Sequence, residues 1–133
     1  MKLLDHVSLT VRHLEQVRAF YMAVMSVLGA KVIYDVPTAM GFGERNSVDD
    51  YAHTYLSILQ SAEAYPDSRR HWCFRALSIQ QVKDFYSAGI ATGGQCAGAP
   101  GIRTYHPGYY SAFLLDPEGN KIESVFHEGE LSR

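Results

Sequence analysis

The sequence lacks the features that mark exported, membrane-bound or nucleic-acid-binding proteins. Only two cysteines, Cys73 and Cys96, occur in 133 residues, and two thiols without an export signal are expected to stay reduced in a cytoplasm. The net charge is −2, with no block of one sign, which argues against nucleic acid or an anionic membrane as partner. No apolar run approaches the roughly 20 residues needed to cross a bilayer, and the polar first residues do not resemble a signal peptide. We therefore expect a cytoplasmic protein.

The chain also contains an internal repeat. A shift of 65 positions places His6 on His71, the pair Phe20-Tyr21 on Phe85-Tyr86, and Gly29 on Gly94, without a gap. The length and the 47% hydrophobic content suit one compact core. We expect a single domain, residues 1–133, built of module 1 (1–64) and module 2 (68–133), with a connection in residues 61–70.

Each module begins with a strand pattern and continues with a helix pattern. Apolar and polar residues alternate over 4–11 and again over 71–76, which predicts strands with one dry face and one polar face. Helical spacing follows each strand and ends near Gly29 and near Gly93-Gly94. The polar strand faces carry two series of side chains, His6, Ser8 and Thr10 in the first copy and His71, Cys73 and Arg75 in the second.

Strands account for most of the remaining chain. Residues 109–115 and 121–127 flank the turn Asp116-Pro117-Glu118-Gly119-Asn120 and predict a β-hairpin. Weaker strand patterns cover 33–35, 39–43 and 55–60. The glycine- and proline-rich segment from Gly93 to Tyr109 is expected to be a long loop that closes over a ligand. The fold class is α+β: two βαβββ modules form a curved mixed sheet of about eight strands, a cup with helices outside.

Three polar side chains are expected to meet inside this cup. In the strand 121–127, Ile122 and Phe126 share the dry face, so Glu123 points into the cup. His6 and His71 do the same by the same parity. Two imidazoles and one carboxylate on one side of a metal ion leave coordination positions open for water or substrate. His6, His71 and Glu123 are therefore candidate metal ligands.

Two stretches of the sequence resemble the vicinal oxygen chelate superfamily, which includes glyoxalases, bleomycin-resistance proteins and extradiol dioxygenases. The first is Asp5-His6-Val7-Ser8-Leu9 followed by Ala19-Phe20-Tyr21, and the second is the segment from Leu115 to Glu123. The resemblance implies a cup around a divalent metal (Zn, Ni, Mn, Fe or Mg), held by His6, His71 and Glu123. One position departs from the glyoxalase I pattern, because Ser57 stands where those enzymes carry a fourth ligand.

Candidate substrate-binding residues border the predicted cup. Arg103, Tyr105, His106 and Tyr109 lie in or beside the predicted loop, and Cys73 and Arg75 face the cup by parity. For each of them, a packing or connecting role is the alternative. Cys73 in particular is interpreted as a small polar filler rather than a nucleophile, because no histidine base can be paired with it from the sequence.

Two functions follow from the resemblance. The first is a metal-dependent enzyme acting on a small oxygenated substrate, by lyase or isomerase chemistry, thiol or water addition, or dioxygenation. The alternative is a non-catalytic, bleomycin-resistance-like protein that binds a small molecule; such relatives lack the ligand trio. A third, weaker hypothesis is a helper domain that contacts other proteins. The resemblance also implies a homodimer whose modules pair within or across chains.

Overall fold

A computed structural model of the protein describes residues 1–129. The elements follow the order expected from the repeat, strand–helix–three strands, twice. Their bounds are β1 His6–Val11, α1 Leu14–Val27, β2 Val32–Val36, β3 Ala39–Gly43, β4 Tyr55–Gln60, β5 His71–Arg75, α2 Ile79–Ala91, β6 Gln95–Ile102, β7 Tyr109–Leu115 and β8 Lys121–His127. The predicted fold class, α+β with two βαβββ modules, is confirmed. We call β1–β4 with α1 the first module and β5–β8 with α2 the second.

The eight strands divide into two mixed sheets of four. Their orders are β1-β4-β3-β2 and β5-β8-β7-β6, with β1–β4 and β5–β8 parallel and the other pairs antiparallel. The sequence pattern predicts one curved sheet of about eight strands. Within residues 1–129, β1 and β5 instead each lie at an edge of their own sheet, because neither is hydrogen-bonded to a second strand.

The dry faces of both sheets and the two helices form the core. Phe20, Tyr21 and Val24 of α1 are fully buried, and they share one hydrophobic cluster with Phe85 of α2 and Leu114 of β7. The amide Nε2 of Gln81, in the first turn of α2, donates to the carbonyl of Val27 at the end of α1 over 2.9 Å. The two modules are therefore packed together through their helices, and the polar strand faces look away from this core.

The repeat is preserved in the structure with one difference. Helix α1 begins at Leu14 and α2 at Ile79, so their starts keep the shift of 65 positions. Their ends do not, because the left-handed backbone that follows each helix lies at Gly29 (φ 76°) and at Gly93 (φ 97°), not at Gly94. Helix α2 is accordingly one residue shorter, with 13 residues against 14.

The prediction of a long loop from Gly93 to Tyr109 is wrong over most of its length. Gln95–Ile102 forms β6, the edge strand of the second sheet. Its pairing with β7 slips twice, between Cys96 and Gly98 and between Gly98 and Gly101. Glycines and Pro100 are compatible with a strand here because an edge strand needs hydrogen bonds on one side only and tolerates bulges. Of the predicted loop, only Gly93, Gly94 and the short connection 103–108 remain outside the sheet.

The predicted hairpin turn between β7 and β8 joins the two modules. Buried Asp116 accepts hydrogen bonds from the hydroxyl of Tyr21 (2.5 Å) and from the backbone N–H groups of Glu118 and Asn120. Burial and the nearby Asp116 carboxylate raise the pKa of Tyr21. The Glu118 carboxylate in turn accepts from the backbone N–H groups of Arg12 and His13, which precede α1, and so ties the start of the first module's helix to this turn. No helix within residues 1–129 is long and apolar enough to span a bilayer.

Candidate metal and ligand site

The polar face of the second sheet gathers most of the predicted site residues. Strand register places Cys73 beside Glu123 and Glu123 beside Phe113, so that these three side chains share one face. Tyr109 and His127 are register partners on the same face, and Arg75 lies on it opposite Val125. This face is opposite to the one that carries Ile122 and Leu114 into the core.

Glu123 is the centre of this group. It is only 2% exposed, and each carboxylate oxygen has a partner: His71 Nε2 lies 3.1 Å from Oε1, and the Tyr109 hydroxyl donates to Oε2 over 2.7 Å. Desolvation and this hydrogen bond raise the pKa of Tyr109, so it stays a phenol over the whole physiological range. A carboxylate that is buried with two polar partners is held in one orientation.

Cys73 lies in this group as a neutral thiol. Its sulfur is 4.0 Å from the Tyr109 hydroxyl. The residue keeps some solvent exposure, yet the neighbouring atoms desolvate the sulfur and the Glu123 charge repels a thiolate, which together raise the pKa of Cys73 to about 12. A thiol with this pKa is a poor nucleophile at neutral pH, which agrees with its interpretation as a polar filler.

His6 lies on the polar face of the first sheet and has partners of its own. Its Nδ1 is 2.7 Å from the Asp5 carboxylate, and its ring stacks on Tyr55 with a centroid distance of 4.8 Å. Asp5 also accepts from the Asn46 side-chain amide, and the hydrogen bonds to His6 and Asn46 lower the pKa of Asp5. An imidazole held at Nδ1 by a carboxylate keeps Nε2 available as a ligand atom.

One chain does not bring all three predicted ligands into one cluster. Within residues 1–129, one group of three histidine, cysteine or carboxylate ligand atoms lies within 4.8 Å of one another, and it consists of Glu44, Asp50 and His53. His71 and Glu123 are in contact, as predicted, but His6 does not join them in a three-ligand group.

The Glu44–Asp50–His53 group lies in the connection between β3 and β4 and was not predicted. His53 Nε2 is 2.8 Å from Asp50 and Nδ1 is 3.2 Å from Glu44. The hydrogen bond to Asp50, followed by the charges of both carboxylates, raises the pKa of His53. Because both ring nitrogens already face a carboxylate, the arrangement suits an imidazolium ion.

The other predicted ligand-binding residues lie around Tyr109 and Phe113. The rings of Tyr105 and His106 each contact Tyr109 edge-on at 5.0 Å, and His106 stacks on His127 at 5.1 Å. Arg103 donates to the carbonyl of Ala99 over 2.6 Å and lies over the Phe113 ring. Aromatic and cationic groups thus border Glu123 on the side where β6 leads into β7.

A second set of residues, on the polar face of the first sheet, was not predicted from the sequence. Tyr34, Tyr55 and Arg45 lie beside His6, with the Arg45 guanidinium 5.5 Å from the Tyr34 ring and 5.8 Å from the Tyr55 ring. One signal was available: Tyr55 has the same strand parity as Ser57, and the register of Ser57 with Ser8 matches that of Glu123 with Cys73. Arg45, in a connection, carried no periodic signal.

Comparison with known proteins agrees with this architecture. A family model described as the Glyoxalase/Bleomycin resistance protein/Dioxygenase superfamily matches residues 3–124. A glyoxalase/bleomycin resistance protein from Albidiferax ferrireducens T118 is 28% identical with a TM-score of 0.76, over 94% of this chain and 98% of that one. Comparison with curated proteins gives no match.

Two further solved structures share the fold at lower identity. A glyoxalase/bleomycin resistance protein/dioxygenase family enzyme from Burkholderia phytofirmans PsJN is 20% identical, with a TM-score of 0.67 over 95% of this chain and 99% of that one. The genomically encoded fosfomycin resistance protein FosX from Listeria monocytogenes is 18% identical, with a TM-score of 0.65 over 95% and 93% of the two chains.

Proposed function

Because the chain belongs to the glyoxalase/bleomycin resistance protein/dioxygenase superfamily, we propose that it is a metal-dependent enzyme acting on a small oxygenated molecule. His6, His71 and Glu123 are the proposed ligands of a divalent metal. The observation that carries the proposal is the contact of His71 Nε2 with the buried Glu123 carboxylate, on the face turned away from the core.

The chemistry of these donors fits such an ion. Two imidazole nitrogens and one carboxylate oxygen suit zinc, nickel, manganese and iron, and they leave positions for substrate. Asp5 and Tyr109 orient two of the proposed ligands by hydrogen bonds. Asp5 holds His6, and Tyr109 holds Glu123. When bound, the metal would supply Lewis-acid stabilisation of negative charge on substrate oxygen.

The surrounding side chains orient the substrate and exclude competing chemistry. Tyr109 keeps its proton and fixes Glu123, while Cys73 remains a thiol and forms no covalent bond to substrate at neutral pH. Arg103, Tyr105 and His106 form the border through which a small molecule contacts the second sheet. Their cationic and aromatic groups suit a polar, partly unsaturated substrate.

We further propose that two copies of the chain are needed to complete the site. His6 does not join His71 and Glu123 within one chain, and both first strands have one edge without a strand partner among residues 1–129. An unpaired edge strand is a natural place for another strand to add. A homodimer in which the first module of one copy meets the second module of the other brings the three ligands together.

Metal titration by calorimetry tests the proposed ligand set. Glu123→Ala is expected to weaken divalent-metal binding by at least about tenfold, because a charged ligand is lost. His53→Gln is the matched control, since it removes a histidine from the other ligand-atom group and leaves His71 and Glu123 in place. Loss of binding in His53→Gln but not in Glu123→Ala contradicts the proposal. A wild-type protein that binds no metal supports the small-molecule binding alternative instead.

A further inference from the structure

We propose that Arg45 binds the carboxylate of an acidic ligand on the polar face of the first sheet. This proposal names a chemical class of substrate for the function proposed above. It rests on that function only in treating the bound acid as a substrate. The binding itself depends on neither His71 nor Glu123, so the two proposals can fail separately.

Arg45 and the proposed metal ligand His6 contact the same aromatic ring, that of Tyr55. Register pairs His6 with Tyr55, so their side chains share the polar face of the sheet, where their rings stack. The guanidinium of Arg45 lies over this same Tyr55 ring and over Tyr34. A ligand held by Arg45 therefore lies beside the Tyr55 ring, which His6 also contacts.

The Tyr34 ring under Arg45 is fixed by its own contacts with the first sheet. The Tyr34 ring lies flat on the sheet at Gly41, where a Cβ atom would collide with the ring. Its hydroxyl donates to Ser57 Oγ over 2.7 Å. Ser57 occupies the position that Glu123 has in the second module, so the first sheet anchors a tyrosine where the second presents a carboxylate.

The charge of Arg45 is not neutralised by another residue. Arg18 is paired with Glu15 and Asp35, whereas Arg45 makes no hydrogen bond or ion pair to any residue in the range 1–129. The neighbouring carboxylate of Glu44 is directed to His53 instead. A guanidinium that rests on aromatic rings keeps its N–H groups free at its edge, in the planar fork that matches a carboxylate.

A binding experiment with benzoate and its neutral analogue benzamide tests this inference. The full-length protein is used as purified and after treatment with a chelator, so that benzoate cannot be held through a metal. We expect saturable binding of benzoate, with a dissociation constant on the order of millimolar. Two-dimensional NMR follows the binding through the backbone amide signals of Tyr34 and Tyr55, which lie under Arg45 and are present in every variant. Benzamide should not bind, because it lacks the charge.

Three substitutions separate a specific site from general charge attraction. Arg45→Gln should weaken benzoate binding by about fivefold, the upper end of the range for an exposed ion pair. Arg45→Lys should give an intermediate loss because the charge remains but the planar fork is gone. Arg69→Gln makes the same change of charge in the connection between modules and should leave binding within twofold of wild type.

Several outcomes overturn the inference. No saturable benzoate binding by the wild type, equal binding by Arg45→Gln, or equal weakening by Arg69→Gln each contradicts a carboxylate site at Arg45. Binding of phenylphosphonate in place of benzoate contradicts the assignment to carboxylates. If the metal proposal fails, benzoate binding by the chelator-treated protein still tests the carboxylate site at Arg45, because no metal takes part in it.

Discussion

At the scale of single residues, the carboxylate of Glu123 sets the properties of its neighbours. It is nearly inaccessible to solvent, and its two oxygens are engaged by His71 and Tyr109. Its negative charge acts on Cys73, where desolvation and the carboxylate together keep the thiol protonated. The rate at which Cys73 reacts with an alkylating reagent therefore depends on the charge of Glu123 and can be used to detect it.

Alkylation of Cys73 gives the first prediction. In a Cys96→Ser background, the rate of reaction with iodoacetamide should rise with pH up to about pH 10 without a plateau, since only the thiolate reacts and the pKa of Cys73 is about 12. Glu123→Gln should speed the reaction several-fold at fixed pH because it removes the repelling charge. A plateau near pH 8–9 in the parent protein would show an ordinary thiol and refute this account of the site.

The imidazole of His53 gives a second prediction, which concerns pH. Its pKa is raised by Asp50 first and by Glu44 as well, so its ion pairs stabilise the fold fully below the unfolded-state pKa of about 6.5. This contribution is lost as the pH rises through the higher folded-state value. NMR titration should show a lower pKa for His53 in Asp50→Asn than in wild type. Identical titration curves would mean that the ion pair with Asp50 does not form in solution.

At the scale of elements, alternation and helical spacing were sufficient to locate most strands and both helices. The ranges 39–43, 55–60, 109–115 and 121–127 coincide with observed strands. The turn residues between 109–115 and 121–127 marked the ends of those two strands directly. Strand β6 was not predicted because its glycines and Pro100 interrupt the alternation of apolar and polar residues. Its strand conformation depends on pairing with β7, which accommodates these residues through two register shifts.

Site residues could likewise be predicted where they lie in a strand with a regular alternation of side chains. His71, Glu123 and Cys73 were placed on one face from parity alone, and the structure puts them there. Arg45 could not be found in this way, because it lies outside any strand and its contacts with Tyr34 and Tyr55 depend on how the chain returns after β3. The tertiary contacts of connecting segments produce no repeating pattern of residue types, so the sequence does not predict them.

The turn between β7 and β8 gives an element-scale prediction. Glu118 accepts from the N–H groups of Arg12 and His13 at the start of α1, about 105 positions away in the chain. Glu118→Ala should lower the free energy of unfolding by about 1–2 kcal/mol, because two backbone N–H groups lose a charged hydrogen-bond acceptor. Urea unfolding measures the change, with Glu63→Ala, an exposed carboxylate in the connection between modules, as control. Equal effects of the two substitutions would mean that the hydrogen bonds of Glu118 to the segment before α1 do not stabilise the fold.

At the scale of the whole molecule, the two modules share one core but keep separate sheets. Phe85, Leu114 and Ile122 from the second module pack with Phe20 of the first, while β1 and β5 each leave one edge unpaired within the described residues. The proposed ligands His6 and His71 lie on these two edge strands. Assembly of copies and completion of the metal site are therefore linked in this account.

Sedimentation and mixing experiments test that link. At micromolar concentration the protein should sediment at about twice its chain mass of 14.9 kDa. Refolding His6→Asn together with Glu123→Ala should restore the tight metal binding that is weakened in each variant alone, because a mixed dimer contains one site with all ligands intact. A monomeric wild type that binds metal fully would show that one chain is sufficient and would contradict the shared site.

The ligand set itself can be tested most directly by X-ray absorption at the metal edge of the zinc-loaded protein. The account predicts two imidazole nitrogens and oxygen donors at about 2.0–2.2 Å, with no sulfur near 2.3 Å. His71→Asn should reduce the imidazole contribution to one ring, whereas His53→Gln should leave the spectrum unchanged. A sulfur ligand from Cys73, or a spectrum altered by His53→Gln and not by His71→Asn, would contradict the assignment of His6, His71 and Glu123 as the metal site.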